Sequence, residues 1–168
     1  MAQAGPLRVY ILDMSMSEYC YNQAHKVVVC RRCHSCIVPG QSQLARHLRA
    51  EPHRLSGGVL QATAALLASY DLRSVAQLRE HKPAWDERCV PIEHLVTYDG
   101  FRCLEANCGY TTRNRHKIQK HGAAVHQKRA IKHRTTQLWE PCRLQSYFRA
   151  LNLIDYFVVT TIGAKAEA

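Results

Sequence analysis

The chain has 168 residues, 46% of them hydrophobic, which suits one ordinary domain or two very small ones and excludes a disordered composition. No stretch approaches the roughly 20 apolar residues that a bilayer-spanning helix needs, and Met1 to Met14 lacks the basic start and apolar run of a secretory signal. The net charge of +10 is uneven: residues 1–100 carry 11 Lys and Arg against 9 Asp and Glu, whereas residues 101–168 carry 12 against 4.

Along the chain, residues 1–25 are mixed, with a short apolar run from Val9 to Leu12. Lys26 to Val29 is β-branched and reads as a strand entering Cys30. Gln41 to Arg49 reads as a helix, started by Ser42 or by the Pro39-Gly40 turn, with Leu44 and Leu48 on one face. After the Gly57-Gly58 break, the Ala- and Leu-rich run from Val59 to Tyr70 predicts a helix on which Val59, Leu60, Leu66 and Leu67 can bury. A second helix is predicted from Ser74 to His81: Ser74 with Gln77 makes a capping-box pattern, and Pro83 ends the run. Lys82 to Pro91 is a polar, proline-bounded loop. Leu95 to Tyr98, Asp99-Gly100 and Phe101 to Cys103 read as a hairpin, because Asp-Gly suits a type I′ turn. Arg113 to His126 reads as a basic helix, and Tyr156 to Thr161 as a strand in a tail that also holds Trp139, Tyr147 and Phe148.

Two arrays of metal-ligand type lie on these elements. Cys30 and Cys33 are followed after 13 residues by His47 and His53, and Cys103 and Cys108 after 12 residues by His121 and His126. This is the spacing of a C2H2 zinc finger, in which a hairpin knuckle presents two thiolates and a helix presents two imidazoles to a tetrahedral ion. The supporting core agrees. Val28, Ile37 and Leu44 occupy the apolar positions of the first finger, and Phe101 and Ile118 those of the second. Thr112 stands at the usual aromatic position of the second finger, and Tyr110 can fill that space. The extra residue of the first gap predicts a small bulge near Pro39-Gly40, and Pro52 must end the helix before His53. In an intracellular, reducing setting the eight cysteines are metal ligands or free thiols rather than disulfides.

Other readings of the same residues are weaker. Cys30 to His34 matches the C-x-x-C-H haem-attachment pattern, and Cys30, Cys33 and Cys36 open like an iron–sulfur run, but Gly40 stands where the fourth cysteine belongs. His34 or Cys36 is also an alternative to a named zinc ligand. Cys20, Cys89 and Cys142 are isolated and read as buried small apolar residues. No paired carboxylates, Ser/His/Asp order or phosphate-cradling loop is present, so the expectation is a non-enzymatic protein without a small-molecule substrate.

From Ala106 to Leu138 there is no acidic residue, and this block attracts polyanions, nucleic acid foremost. Counting back from the first ligand histidine of each finger, the base-reading positions are Asn114, Lys117 and Lys120 in the second, and Gly40, Gln43 and Arg46 in the first. Arg113, Asn114, Arg115, Lys117 and Lys120 are therefore the candidate nucleic-acid residues. The bridge between the fingers, about 50 residues long, is too long for ordinary tandem tracking along one groove. Packing of both fingers on the bridge helices is the expected arrangement.

The segments VVVCRRC, SQLARHLR, YDGFRCLEANCGYTTRNRHKIQKHGAAVH and LWEPCRLQSYF resemble fungal proteins related to orsellinic acid biosynthesis cluster protein D, over roughly Tyr21 to Val159. The resemblance implies a zinc-binding domain at the head of a longer protein. Its ligand pattern falls on Cys30, Cys33, His47, Cys103, Cys108, His121 and His126, and His53 fits by spacing. It implies little about activity.

The reading is therefore a small α+β module stapled by two zinc ions, with two separated ββα fingers and a helical stretch between them. Its divisions are an N-terminal segment (1–25), a first finger (26–56), a helical bridge (57–94), a second finger with the basic helix (95–128) and an aromatic-containing tail (129–168). The leading functional expectation is nuclear and involves nucleic acid, with no membrane partner. The alternatives are a structural module for protein–protein interaction and a remnant of a mobile-element protein.

Overall fold

The computed structural model describes residues 17–84, 87 and 89–160. The apolar run at Val9 to Leu12, the start from Met1 to Met14, Thr161 and the tail from Gly163 lie outside the described residues. The chain forms two compact units, one made of Met1–His81 with Phe148–Leu153 and the other of Lys82–Tyr147 with Ile154–Ala168. Helices and sheets both contribute, so the class is α+β.

The first unit is built on a three-stranded antiparallel sheet, β1 (Tyr19–Asn22), β2 (Val27–Cys30) and β3 (Ser35–Cys36), in that spatial order. Strand β1 is an addition to the ββα plan, paired Tyr19 to Cys30 and Asn22 to Val27. It is only four residues long, Tyr-Cys-Tyr-Asn, too short for a period of two to stand out. Helix α1 (Gln41–Arg49) follows, capped by Gly40 rather than by Ser42. Gly40 has φ 110, a backbone state that suits glycine, and the extra residue of the first finger is absorbed in this bend. Leu44 and Leu48 of α1 join Val28, Ile37 and Tyr19 in one cluster with Leu60, Ala64 and Leu67 of helix α2 (Gly57–Ala68).

The buried stripe of α2 is Leu60, Thr63, Ala64 and Leu67, spaced i, i+3, i+4, i+7. That period leaves Leu66 39% exposed and Val59 half-buried, which corrects the expectation that both can bury. The bridge is tied to the β1–β2 hairpin by Tyr21, which stacks on Tyr70 at 4.6 Å and donates its hydroxyl to the Asp71 carbonyl at 2.9 Å. Helix α3 (Val75–Glu80) starts with the expected capping box: the Gln77 N–H donates to Ser74 Oγ at 3.2 Å, and the Ser74 N–H donates to Gln77 Oε1 at 2.8 Å.

The second unit holds a four-stranded antiparallel sheet in the order β5-β4-β6-β7, formed by β4 (Tyr98–Cys103), β5 (Thr111–Thr112), β6 (Trp139–Ser146) and β7 (Tyr156–Val159). Helix α4 (Arg115–His126) completes its ββα finger. The expected hairpin at Asp99-Gly100 does not form: β4 runs straight through both residues, pairing Asp99 with Arg143 and Gly100 with Cys142. Glycine is needed there for space. A Cβ on Gly100 would lie 2.2 Å from Leu144 Cδ1 and 2.9 Å from the Thr112 carbonyl oxygen. Gln145, 1% exposed, spends its amide on the loop before β4: its Nε2 donates to the carbonyls of Ile92 and Leu95, and its Oε1 accepts from the Ile92 N–H. This satisfies a buried polar group that would otherwise be costly.

The first finger packs on a bridge helix as expected. The core of the second finger is closed by the tail: Cys103 and Ile118 cluster with Leu138 and Trp139, and with the partly buried Phe101, Cys108 and Tyr110. A Trp indole covers far more apolar area than the Thr112 side chain at the usual aromatic position, so strand β6 supplies what the finger itself lacks.

Candidate metal centres

Each finger brings two thiols and two imidazoles to one point. The ligand atoms of Cys30, Cys33, His47 and His53 all lie within 4.8 Å of one another, and so do those of Cys103, Cys108, His121 and His126. Neither His34 nor Cys36 joins a group; His34 is exposed at φ 51, and Cys36 is buried in β3.

In the first group the knuckle between β2 and β3 is tightened by the Cys33 N–H, which donates to Cys30 Sγ at 3.3 Å. Helix α1 presents His47 and stops at Arg49, so Pro52 lies in the turn that carries His53 back over the knuckle. His53 Nε2 then stands 3.4 Å from Cys30 Sγ and 3.3 Å from Cys33 Sγ. His47 Nε2 is buried with no hydrogen-bond partner among the described residues. Burial, and secondarily the neighbouring His53, hold the His47 imidazole down to about 4, so it is neutral and its lone pair is free. Burial pushes the Cys30 thiol up to about 12. An apolar pocket that holds two sulfurs and an orphaned imidazole nitrogen suits a cation, because a bound divalent ion supplies the charge that ionises thiols. The residues fit a metal ion.

Two contacts around this group have no counterpart in the ligand spacing. His53 Nδ1 lies 3.1 Å from Glu18 Oε2 and 3.2 Å from the Tyr19 hydroxyl. The His53 side chain is 1% exposed and that of Glu18 34%, so a surface carboxylate reaches a buried ring. Burial, then the Cys30 thiol, raise the Tyr19 hydroxyl well above the usual range, which keeps it protonated. Glu18 lies 35 residues from His53, and no local motif signals the pairing.

The second group uses a wider knuckle, turned at Asn107 with φ 60 and closed by the Cys108 N–H donating to the Glu105 carbonyl at 3.1 Å. His121 and His126 both come from α4, and their Nε2 atoms meet at 3.0 Å, with Cys108 Sγ 3.2 Å from His121 Nε2. Tyr110 stacks flat on His121 at 4.0 Å and packs at the edge of the Cys103–Trp139 cluster. Burial, then His126, lower the His121 imidazole, and burial raises the Cys103 thiol. This group too fits a metal ion.

The candidate nucleic-acid residues cluster at the start of α4. Arg113, Asn114, Arg115, Lys117 and Lys120 are all exposed. Asn114 is the N-cap, its Oδ1 accepting from His116 N–H at 2.8 Å and Lys117 N–H at 3.1 Å. That oxygen is therefore engaged in the cap. Arg113 stacks over the Tyr98 ring at 4.0 Å. The first turn holds no acidic residue, so the positive end of the helix reinforces the cations. In the first finger Gly40 and Arg46 are exposed too, but Gln43 is half-buried with its Oε1 enclosed, and Gln43 and Arg46 line a cleft with Phe148, Arg149 and Ala150.

A family profile described as orsellinic acid/F9775 biosynthesis cluster protein D matches residues 17–127. No curated protein and no solved structure matches the chain. The family match begins just before Glu18 and ends just after His126, so it takes in both Cys2His2 groups and leaves out the tail that closes the second core. On that match, which spans about two thirds of its length, the chain belongs to the orsellinic acid/F9775 biosynthesis cluster protein D (OrsD) family.

Proposed function

We propose that the chain is a non-enzymatic module that holds two zinc ions and binds nucleic acid, in the nucleus, through the second finger. Zinc is favoured by the donor set, since two thiolates with two imidazoles in a closed site suit a tetrahedral ion without redox chemistry. The observation that carries the nucleic-acid reading is the exposed basic face of α4 and the turn after it. Arg113, Arg115, Lys117, Lys120, Arg129, Lys132 and Arg134 are all exposed, and no carboxylate occurs between Ala106 and Leu138 to neutralise them. Lys117 and Lys120 lie one turn apart on the same side of the helix. The first finger has a structural role in this reading, because its corresponding face is shared with Phe148 and Arg149.

The test is binding of labelled duplex DNA and RNA by the metal-loaded chain across a salt series, with Lys117→Ala/Lys120→Ala as the comparison. Binding that weakens steeply with salt in the parent and less steeply in the double variant supports the assignment. Salt-insensitive capture of a protein, with no nucleic-acid binding, favours the protein-interaction alternative instead.

A further inference from the structure

We propose that Glu18 is a positioning residue of the first metal centre, clamping the cysteine knuckle to the fourth ligand. The inference rests on the reading of Cys30, Cys33, His47 and His53 as a metal site and goes beyond it to a residue outside the ligand set. Glu18 makes three contacts, each with a separate role. Its main-chain carbonyl accepts the Arg31 N–H at 2.8 Å. Its Oε1 accepts from Arg32 Nη1 at 3.2 Å. Its Oε2 faces His53 Nδ1 at 3.1 Å. Arg31 and Arg32 are the two residues between the ligand cysteines, so one residue grips both the knuckle and the imidazole that must close on it.

The chemistry of the ring gives the clamp its consequence. His53 can offer a lone pair at Nε2 only if Nδ1 carries the proton, and that N–H needs an acceptor in a site where the side chain is 1% exposed. Glu18 supplies a charged acceptor, stronger than the neutral Tyr19 hydroxyl at 3.2 Å. A carboxylate behind a ligand histidine fixes its tautomer and its orientation and strengthens it as a donor. His53 depends on this more than the other histidines do, because it follows the end of α1 at Arg49 and is not held on a helix face. In the second centre both histidines lie within α4, and among the described residues no carboxylate forms an ion pair with either. The two centres therefore differ in what holds their last ligand.

Zinc alone is titrated into the full chain in competition with a chromophoric chelator, for the parent, Glu18→Ala and Glu18→Gln. The parent is expected to bind two ions. In Glu18→Ala one of the two sites weakens about 10- to 100-fold and the other is unchanged. Glu18→Gln keeps an acceptor without the charge and weakens the same site less, by a few-fold; it carries the test where the alanine variant does not fold. The second readout is the His53 Nδ1–H proton in the zinc-loaded protein by NMR. It is hydrogen-bonded and slow to exchange in the parent and is expected to shift upfield and exchange faster in the variants, which a purely structural role of Glu18 would not produce. A parent that binds two ions, with both variants unchanged in affinity and in the His53 proton, overturns this assignment alone. A parent that binds only one ion, at the second centre, overturns the first metal site and this assignment with it.

Discussion

Replacing Lys117 and Lys120 together by alanine tests the basic face of α4 quantitatively. Both side chains are exposed and alanine is a strong helix former, so the fold and the metal groups should survive the change. If Arg113, Arg115, Lys117 and Lys120 each neutralise one phosphate of duplex DNA, log K falls against log salt with a slope of about −3.6, and the double variant with about −1.8. Between 50 and 200 mM salt the parent then loses affinity about 150-fold and the variant only about 12-fold. Fluorescence anisotropy with a labelled duplex at four or five salt concentrations separates these slopes. Arg46→Ala, in the first finger beside the Phe148–Ala150 cleft, should leave the slope unaltered. A double variant with the parent's affinity and slope refutes the assignment, because two exposed cations that touch phosphate cannot be removed without releasing fewer counterions.

Three further outcomes follow from the packing and the ligand sets. Chelation should remove two ions and unfold both fingers, and Cys103→Ser should leave one ion and lose the chemical shifts of the second finger, since structural zinc contributes on the order of 10 kcal/mol in finger peptides. A variant that keeps two ions and those shifts contradicts the second site. Gly100→Ala should cost about 1–3 kcal/mol in denaturant melts, because Leu144 is fully buried and the Thr112 carbonyl beside it is fixed in the sheet. Gly100→Asn should cost more than Gly100→Ala; the reverse order would point to a type I′ turn at this position. Leu48→Ala, at 0% exposure in the cluster shared by α1 and α2, should cost about 2–5 kcal/mol by the same assay, and a cost near zero would mean that the bridge helix does not pack on the first finger.

Local rules carried the parts of this protein whose physics is local. Ligand spacing placed the two cysteine–histidine groups, because a knuckle and the helix after it, with the turn beyond that helix in the first group, bring four donors together within about 25 residues of chain. Capping chemistry placed the start of α3 at Ser74, since the box is made by residues three apart. The unbroken basic stretch from Ala106 to Leu138 was also evident in the sequence, because charge needs no fold to be counted. Where two local rules competed, tertiary packing decided. Asp99-Gly100 has the chemistry of a turn, but pairing along β6 and the approach of Leu144 make it the middle of a strand. Leu66 is as apolar as Leu67, but only one of two neighbours can face the Leu44–Leu48 side of the cluster. Contacts between distant residues could not be read from spacing at all. Trp139 completes a core that begins at Cys103, and Glu18 reaches His53 across 35 residues. Sequence alone determined which side chains can hold a metal and where the charge lies. The tertiary structure decided what surrounds each centre, because burial and second contacts exist only once segments far apart in the chain have been brought together.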